Sequence, residues 1–292
     1  MQNCIIFAAV KSLEHIVFPI TAELAQFEAF FEKTLRAETE PMDSIMHYVL
    51  DTRGKRLRPI LVLLSAKLFG EVNDQTLRAA SFVEMVHSAT IIHDDVVDDA
   101  NQRRGKASVK AQFGNLSAVL AGDFLLAKAM LLLAQPDDHA ILQEMLSTTA
   151  AMSEGELIQG AVGLSYHGSR NGNRQKSGCQ KSGCHDVTAL QAQYLEIITR
   201  KTALLMRSCC VAGALSVGAT PEQIQQISDF GLNFGILFQL RDDVLDEENT
   251  EQAQALLPEY FQNTLDSLKS FPASETLEAL RDLTVFCAER EE

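Results

Sequence analysis

Two runs of carboxylates are the groups in this chain most able to do chemistry. His93-Asp94-Asp95-Val96-Val97-Asp98-Asp99 closes one strongly apolar stretch, and Asp242-Asp243-Val244-Leu245-Asp246, followed by Glu247 and Glu248, closes another. In each run carboxylates recur three and four residues apart, the spacing that places side chains together on one helix face. Like charges so placed repel, and the C-terminal end of a helix disfavours anions further. A single run of this kind is as often an ordinary solvated face as a site. Two, each ending an apolar helix, point to cations that offset the repulsion. The ligands are all carboxylates with no matching His/Cys set, which favours Mg²⁺, several ions between the two clusters. Mg²⁺ keeps waters and bridges phosphate oxygens, so the natural guest is a diphosphate whose charge the metal neutralises on departure.

An anionic guest calls for basic side chains, and in a chain of net charge −14 those few that cluster are informative. Lys55, Arg56 and Arg58 fall in the turn before Pro59, and Arg103 and Arg104 follow the first acidic run. Arginine forks fit phosphate oxygens bidentately. Taken alone, each could equally be a surface salt-bridge residue.

The elements that must position these groups read as helices throughout. Apolar content is 46%, glycine and proline number 16 and 7, and period-two alternation is weak, so the chain reads as all-α with one bundle core. Helices are expected over 8–38 with an interruption at Pro19, 42–51, 60–69, 75–99, 115–134, 139–160, 187–212, 221–248 with irregularity near Gly231–Gly235, 253–268 and 273–290. Asn73-Asp74-Gln75 supplies a cap before the first acidic helix, and residues 100–114 read as a loop. Residues 165–186, rich in Ser, Gly, Asn, Lys and His, form a polar inserted loop in which Lys176-Ser177-Gly178-Cys179 nearly repeats as Lys181-Ser182-Gly183-Cys184. Cys179, Cys184, His185 and His167 do not have a zinc spacing. No run of eighteen apolar residues lacks charge, so no transmembrane segment is expected. The acidic balance argues against nucleic acid. Six cysteines in a chain this long make no disulfide scaffold; Cys209 and Cys210 read as core fillers, and a reducing, cytoplasmic setting is expected.

These motifs resemble those of the trans-polyprenyl diphosphate synthases, over nearly the whole chain. The first acidic run with its trailing Arg103-Arg104-Gly105 resembles that family's first aspartate-rich motif, and Phe238-Gln239-Leu240-Arg241-Asp242-Asp243-Val244-Leu245-Asp246 the second. Gly54-Lys55-Arg56-Leu57-Arg58-Pro59 looks like its first basic motif, and Lys201-Thr202 like its central Lys-Thr pair. The resemblance implies a single domain over residues 1–292 with the isoprenoid-synthase helical bundle around a central cavity, a homodimer, and Mg²⁺-dependent condensation of isopentenyl diphosphate with an allylic diphosphate. It implies Asp94, Asp95, Asp98, Asp242, Asp243 and Asp246 at the metals, with Asp94 and Asp95 counted among the catalytic residues. It places Arg103, Lys201 and Gln239 at the allylic substrate, Lys55, Arg58, His87 and Arg104 at isopentenyl diphosphate, and Thr202 beside the developing allylic cation. A satisfied core histidine is the alternative for His87.

In that family a bulky aromatic one turn before the first motif closes the product tunnel. Here Ala89 and Thr90 stand there, with Phe82 and Met85 about two turns deeper, so products longer than farnesyl diphosphate are expected. The chain departs from the pattern after Asp246, where the family's two Gly-Lys elements are absent, and in the insertion at 165–186. The first departure leaves open a catalytically weak or inactive partner subunit of a prenyl synthase. A terpene cyclase is disfavoured by the basic turn and by the second all-aspartate motif.

Overall fold

In the computed structural model, which describes residues 11–52, 54–167, 187–246 and 250–290, the three-and-four apolar spacing folds into helices packed side by side. A short α1 (Leu13–Ile16) and a 3₁₀ turn holding Pro19 lead into α2 (Thr21–Leu35), followed by α3 (Met42–Asp51), α4 (Leu57–Phe69) and α5 (Asp74–Val97). Strands β1 (Gln102–Arg103) and β2 (Lys106–Ala107) form a small antiparallel hairpin before α6 (Val109–Phe113), α7 (Asn115–Leu133) and α8 (His139–His167). Next come α9 (Val187–Ile198), a π-helical turn at Thr199–Ala203, α10 (Leu204–Ser216), α11 (Pro221–Leu245), α12 (Thr250–Ser267) and α13 (Glu275–Glu289).

The helix starts are chemically marked. Asn73 accepts from the Thr76 amide while Thr76 returns a bond to the Asn73 backbone, a capping box that fixes where α5 begins. Thr220 and Gln223 do the same for α11, with Pro221 at its first position. These two caps set the phase of the helices that carry the two acidic runs.

α4 and α10 lie innermost. Pro59 through Ala66 are all buried, as are most residues from Leu205 to Ser216, including the free thiols of Cys209 and Cys210. α10 packs against α4, α5, α8 and α11, so it joins the elements bearing both acidic runs. The closest approach is at Gly213, where an added Cβ would stand 2.3 Å from the Val62 carbonyl oxygen. The irregularity expected near Gly231–Gly235 is absent: α11 runs unbroken, and both glycines are contact points. A Cβ on Gly231 would meet Arg207 Cα at 2.8 Å, and one on Gly235 would meet Ala203 Cα at 2.5 Å. The loop expected over 100–114 is instead the hairpin and α6, and the helix expected over 187–212 is interrupted by the π turn.

Among the described residues one helix, α7, is long and apolar enough to cross a membrane by length and composition, with mean hydropathy 1.9. It carries Asp123 and Lys128, packs on α5, and is pinned where Lys128 Nζ donates to the Thr34 and Arg36 carbonyls at 2.8 and 2.6 Å. Residues 168–186, most of the expected polar insertion with Cys179, Cys184 and His185, lie outside the described residues.

Replacing Gly213 by Ala will force α4 and α10 apart. The expected loss is about 2–3 kcal/mol, read as a lower urea midpoint at unchanged slope.

Candidate active site

The loop leading into α4 carries Gly54, Lys55 and Arg56, with Arg58 in the first helical turn. Opposite it the chain leaving α5 doubles back through the hairpin. Its two turn residues, Arg104 and Gly105, both have positive φ, 52° and 74°, as a tight type I′ turn requires. Three bonds clamp the hairpin onto the end of α3. Tyr48 Oη donates to the Ala107 carbonyl at 2.8 Å, Lys106 Nζ to that of Asp51 at 2.8 Å, and Arg104 Nη1 to that of Thr52 at 3.2 Å. The Arg104 guanidinium lies so close to Gly54 that a Cβ there would fall 2.5 Å from Nη1. The outcome is a cavity of ≈ 470 Å³ whose wall includes Lys55, Arg58, His87, Arg104, Phe238 and Arg290. The four residues expected around isopentenyl diphosphate therefore share one space.

Arg58 Nη1 lies 2.9 Å from His87 Nε2. A guanidinium can only donate, so Nε2 accepts and the imidazole is neutral, its proton on Nδ1. Burial, followed by the charges of Arg58 and Arg104, pushes His87 well below its ordinary value. Burial also draws Arg58 down, although an arginine stays protonated. The Nε atoms of Arg58 and Arg290 are buried without a partner. Such orphaned donors, beside Lys55 and Arg104, suit an anion with several oxygens.

The two acidic runs divide in the same way. In each, the second aspartate is buried and satisfied by the protein. Asp95 accepts from Arg103 Nε and Nη2 at 3.1 and 2.7 Å. Asp243 accepts from Gln239 Nε2 at 2.7 Å and from the Tyr194 hydroxyl. The flanking members, Asp94 and Asp98 in one run and Asp242 and Asp246 in the other, are half-buried or exposed. Asp99 differs from all of these. It takes the left-handed conformation that ends α5, with the Ala100 amide bonded back to the Asp95 carbonyl at 2.9 Å, and it is paired with Lys110.

Burial raises Asp94, with Glu156 and Asp98 adding to it against Lys201 and Arg103. Burial likewise raises Asp242 and Asp243. A dication would reverse that direction. The all-oxygen donor set fits Mg²⁺, yet among the described residues no three acidic, His or Cys groups meet at one point. Each run thus offers a small hard cation one or two carboxylates and leaves the remaining positions to water and phosphate. Asp242 is held by Arg290 Nη2, which also donates to the Phe238 carbonyl at 3.2 Å, while the guanidinium stacks 4.0 Å from the Phe238 ring.

The π turn supplies Lys201 and Thr202. Lys201 Nζ is 3.4 Å from Glu156, and its charge acts on Asp94 of the first run and Asp243 of the second. One cation is therefore felt electrostatically by a carboxylate of each cluster. Thr202 donates to Gln239 Oε1 at 2.6 Å, so the Gln239 amide is engaged at both ends, between Thr202 and Asp243. Burial, then Asp243, raises Tyr194 and keeps it a donor.

Sequence reasoning did not pick out Tyr194, Glu156 or Arg290. Tyr194 stands seven residues before Lys201, a helical spacing that was available to read. Arg290 is 48 residues beyond Asp242, and no local pattern joins them.

Comparison with known proteins agrees with this arrangement. The profile of the family described as Polyprenyl synthetase matches residues 39–277. The octaprenyl diphosphate synthase of Haemophilus influenzae is 33% identical over 75% of the chain and 60% of its own length. Component 2 of the heptaprenyl diphosphate synthase of Geobacillus stearothermophilus is 32% identical over 80% of the chain and 66% of its own length. The chain thus spans somewhat under two thirds of these relatives. The crystal structure of a polyprenyl synthase from Caulobacter crescentus, complexed with calcium and isoprenyl diphosphate, superposes with a TM-score of 0.81 at 26% identity, covering 98% of this chain and all of that one. With its acidic helix ends, basic cavity and helical bundle in place, the chain belongs to the polyprenyl synthetase family.

Proposed function

We propose that this protein is a Mg²⁺-dependent prenyltransferase that condenses isopentenyl diphosphate with an allylic diphosphate and gives products longer than farnesyl diphosphate. The observation that carries the reading is the basic cavity with its orphaned Arg58 and Arg290 donors, set beside two carboxylate runs that both feel the charge of Lys201.

Lys55, Arg58, Arg104 and the Nδ1–H of His87 hold the diphosphate of isopentenyl diphosphate. Asp94, Asp98, Asp242 and Asp246 hold Mg²⁺, which neutralises charge on the departing diphosphate. Asp95 and Asp243, already hydrogen-bonded within the protein, fix the orientation of those runs through Arg103, Gln239 and Tyr194. Arg103 and Lys201 face the allylic diphosphate, and Thr202, steadied by Gln239, presents its oxygen lone pairs toward the allylic cation. The double bond of isopentenyl diphosphate attacks C1 of that cation, and a proton is lost to the released diphosphate. Orientation and charge stabilisation in a dry pocket account for the rate.

Ala89 is small and Thr90 Oγ1 is turned back onto the His87 carbonyl at 2.9 Å, so neither sets a bulky side chain in the way of a chain growing along α5. Phe82 and Met85, both buried, are the deeper floor. The name of the Haemophilus relative, an octaprenyl synthase, supports a long product.

A homodimer is supported by α7. Leu116, Val119, Leu120, Met130 and Leu131 are exposed along its outer face on either side of Asp123, a surface that a second copy would cover. A cytoplasmic setting is in keeping with the free, buried Cys209, Cys210 and Cys287, and residues 1–292 are taken as one domain with the insertion near 165–186. A second reading, a partner subunit with little activity of its own, draws on the missing Gly-Lys elements and on the Geobacillus relative, whose name marks it as one component of a synthase.

Three outcomes are expected. Purified protein with both diphosphates and Mg²⁺ will form condensation product, and Asp94→Ala will lower the rate roughly 10³-fold; no product from the wild type would leave the partner-subunit reading. Chromatography of dephosphorylated products will give chains beyond fifteen carbons, whereas a fifteen-carbon end product would remove the tunnel argument. Light scattering will give a dimer that Leu120→Glu converts to monomer; a wild-type monomer would remove the α7 interface.

A further inference from the structure

Arg56 stands in the middle of the basic loop, yet its side chain does not share the outlook of its neighbours. It is 8% exposed, and although it borders the cavity its guanidinium is committed to carboxylates of α5 and α2. Nη1 donates to Glu84 of α5 at 2.6 Å and Nε to Glu28 of α2 at 3.0 Å, with Nη2 at 3.5 Å from the second Glu28 oxygen. The Phe31 ring lies against the other side, its centroid 4.9 Å from the guanidinium carbon. Each nitrogen thus makes one bond to a carboxylate of the protein, taking three of the five N–H donors.

The backbone at Arg56 is left-handed, φ 56°, a conformation costing a non-glycine residue roughly 1–2 kcal/mol. The ion pairs hold the loop in a shape it would not choose alone. Three residues after Glu84, one turn along the same face of α5, comes His87, which accepts from Arg58. The two arginines of the loop thus grip successive turns of α5, Arg56 at Glu84 and Arg58 at His87. Lys55 and Arg58, on either side of the inward residue, line the cavity.

We propose that Arg56 is a positioning residue for the diphosphate site: a peg, seated on Glu84 and Glu28, that sets Lys55 and Arg58 at the cavity wall. Glu84 is its counterpart, buried to 6% exposure and otherwise a costly charge at that depth. The inference rests on the reading of this cavity as the isopentenyl diphosphate site.

The test compares wild type, Arg56→Lys, Arg56→Met and the double variant Arg56→Met/Glu84→Gln, which removes both buried charges and serves if the single methionine variant does not fold. Expected is a KM for isopentenyl diphosphate that rises roughly tenfold in the double variant, with partial recovery in Arg56→Lys and little change in the KM for the allylic diphosphate. Calorimetric titration with inorganic diphosphate, without metal, should show the same order of weakening. Folded variants with unchanged diphosphate affinity, or with both KM values raised in equal proportion, would overturn the proposal. A wild type that fails to turn over but binds inorganic diphosphate more tightly than the double variant would reject the proposed reaction and keep the peg.

Discussion

Repulsion among carboxylates gathered at two helix ends is the constraint that organises this molecule. Each run concentrates acidic side chains where the helix dipole is least tolerant of them. The fold answers by dividing the labour within each run. Asp95 and Asp243 are drawn inward and held by Arg103, Gln239 and Tyr194. Asp99 is turned aside to Lys110 and becomes the end of α5. What remains facing the cleft is a pair of carboxylates per run, of which Asp94 and Asp242 are raised by burial and by their acidic neighbours and therefore receptive to added positive charge.

The basic side of the site obeys the complementary logic. Five cationic side chains around one space would repel as strongly as the aspartates do. Their number is kept tolerable because His87 is neutral and because Arg56 is withdrawn onto Glu84 and Glu28. Arg290 contributes its charge from the far end of α13 and rests on Asp242, so the two sides of the site already touch at one contact.

Much of this was legible in the sequence because it depends on local spacing. The cap at Asn73, the three-and-four aspartate offsets and the Gly-Lys-Arg turn are all short-range signals, and the family resemblance carried by the acidic runs and that turn implied the all-α bundle. What escaped depends on distant partners or on packing. Gly231 and Gly235 read as an irregularity in α11, whereas their backbones are approached by α10 and by the π turn and the helix runs on. The hairpin at 102–107 is too short to show alternation and is recognisable only from the Arg104-Gly105 turn. Tyr194, Glu156 and Arg290 are single residues whose roles exist only once helices are brought together.

The widened turn at Thr199–Ala203 has a consequence for how this stretch tolerates change in length. A π turn accommodates one residue beyond the α-helical count, and each residue rotates a helix by about 100°. α9 therefore enters in one rotational phase and α10 leaves in another. Tyr194, Ile198 and Ala203 pack into a cluster with Ile236 and Leu240, while Leu205, Met206, Cys209 and Cys210 belong to the main core. A single rod serves two cores because of that one extra residue. Losing one residue there would restore a uniform helix and bring the phases into line, so that either the cluster around Tyr194 or the main core would face the wrong way. The residue count of this segment is therefore as fixed as the identity of Lys201 and Thr202 within it.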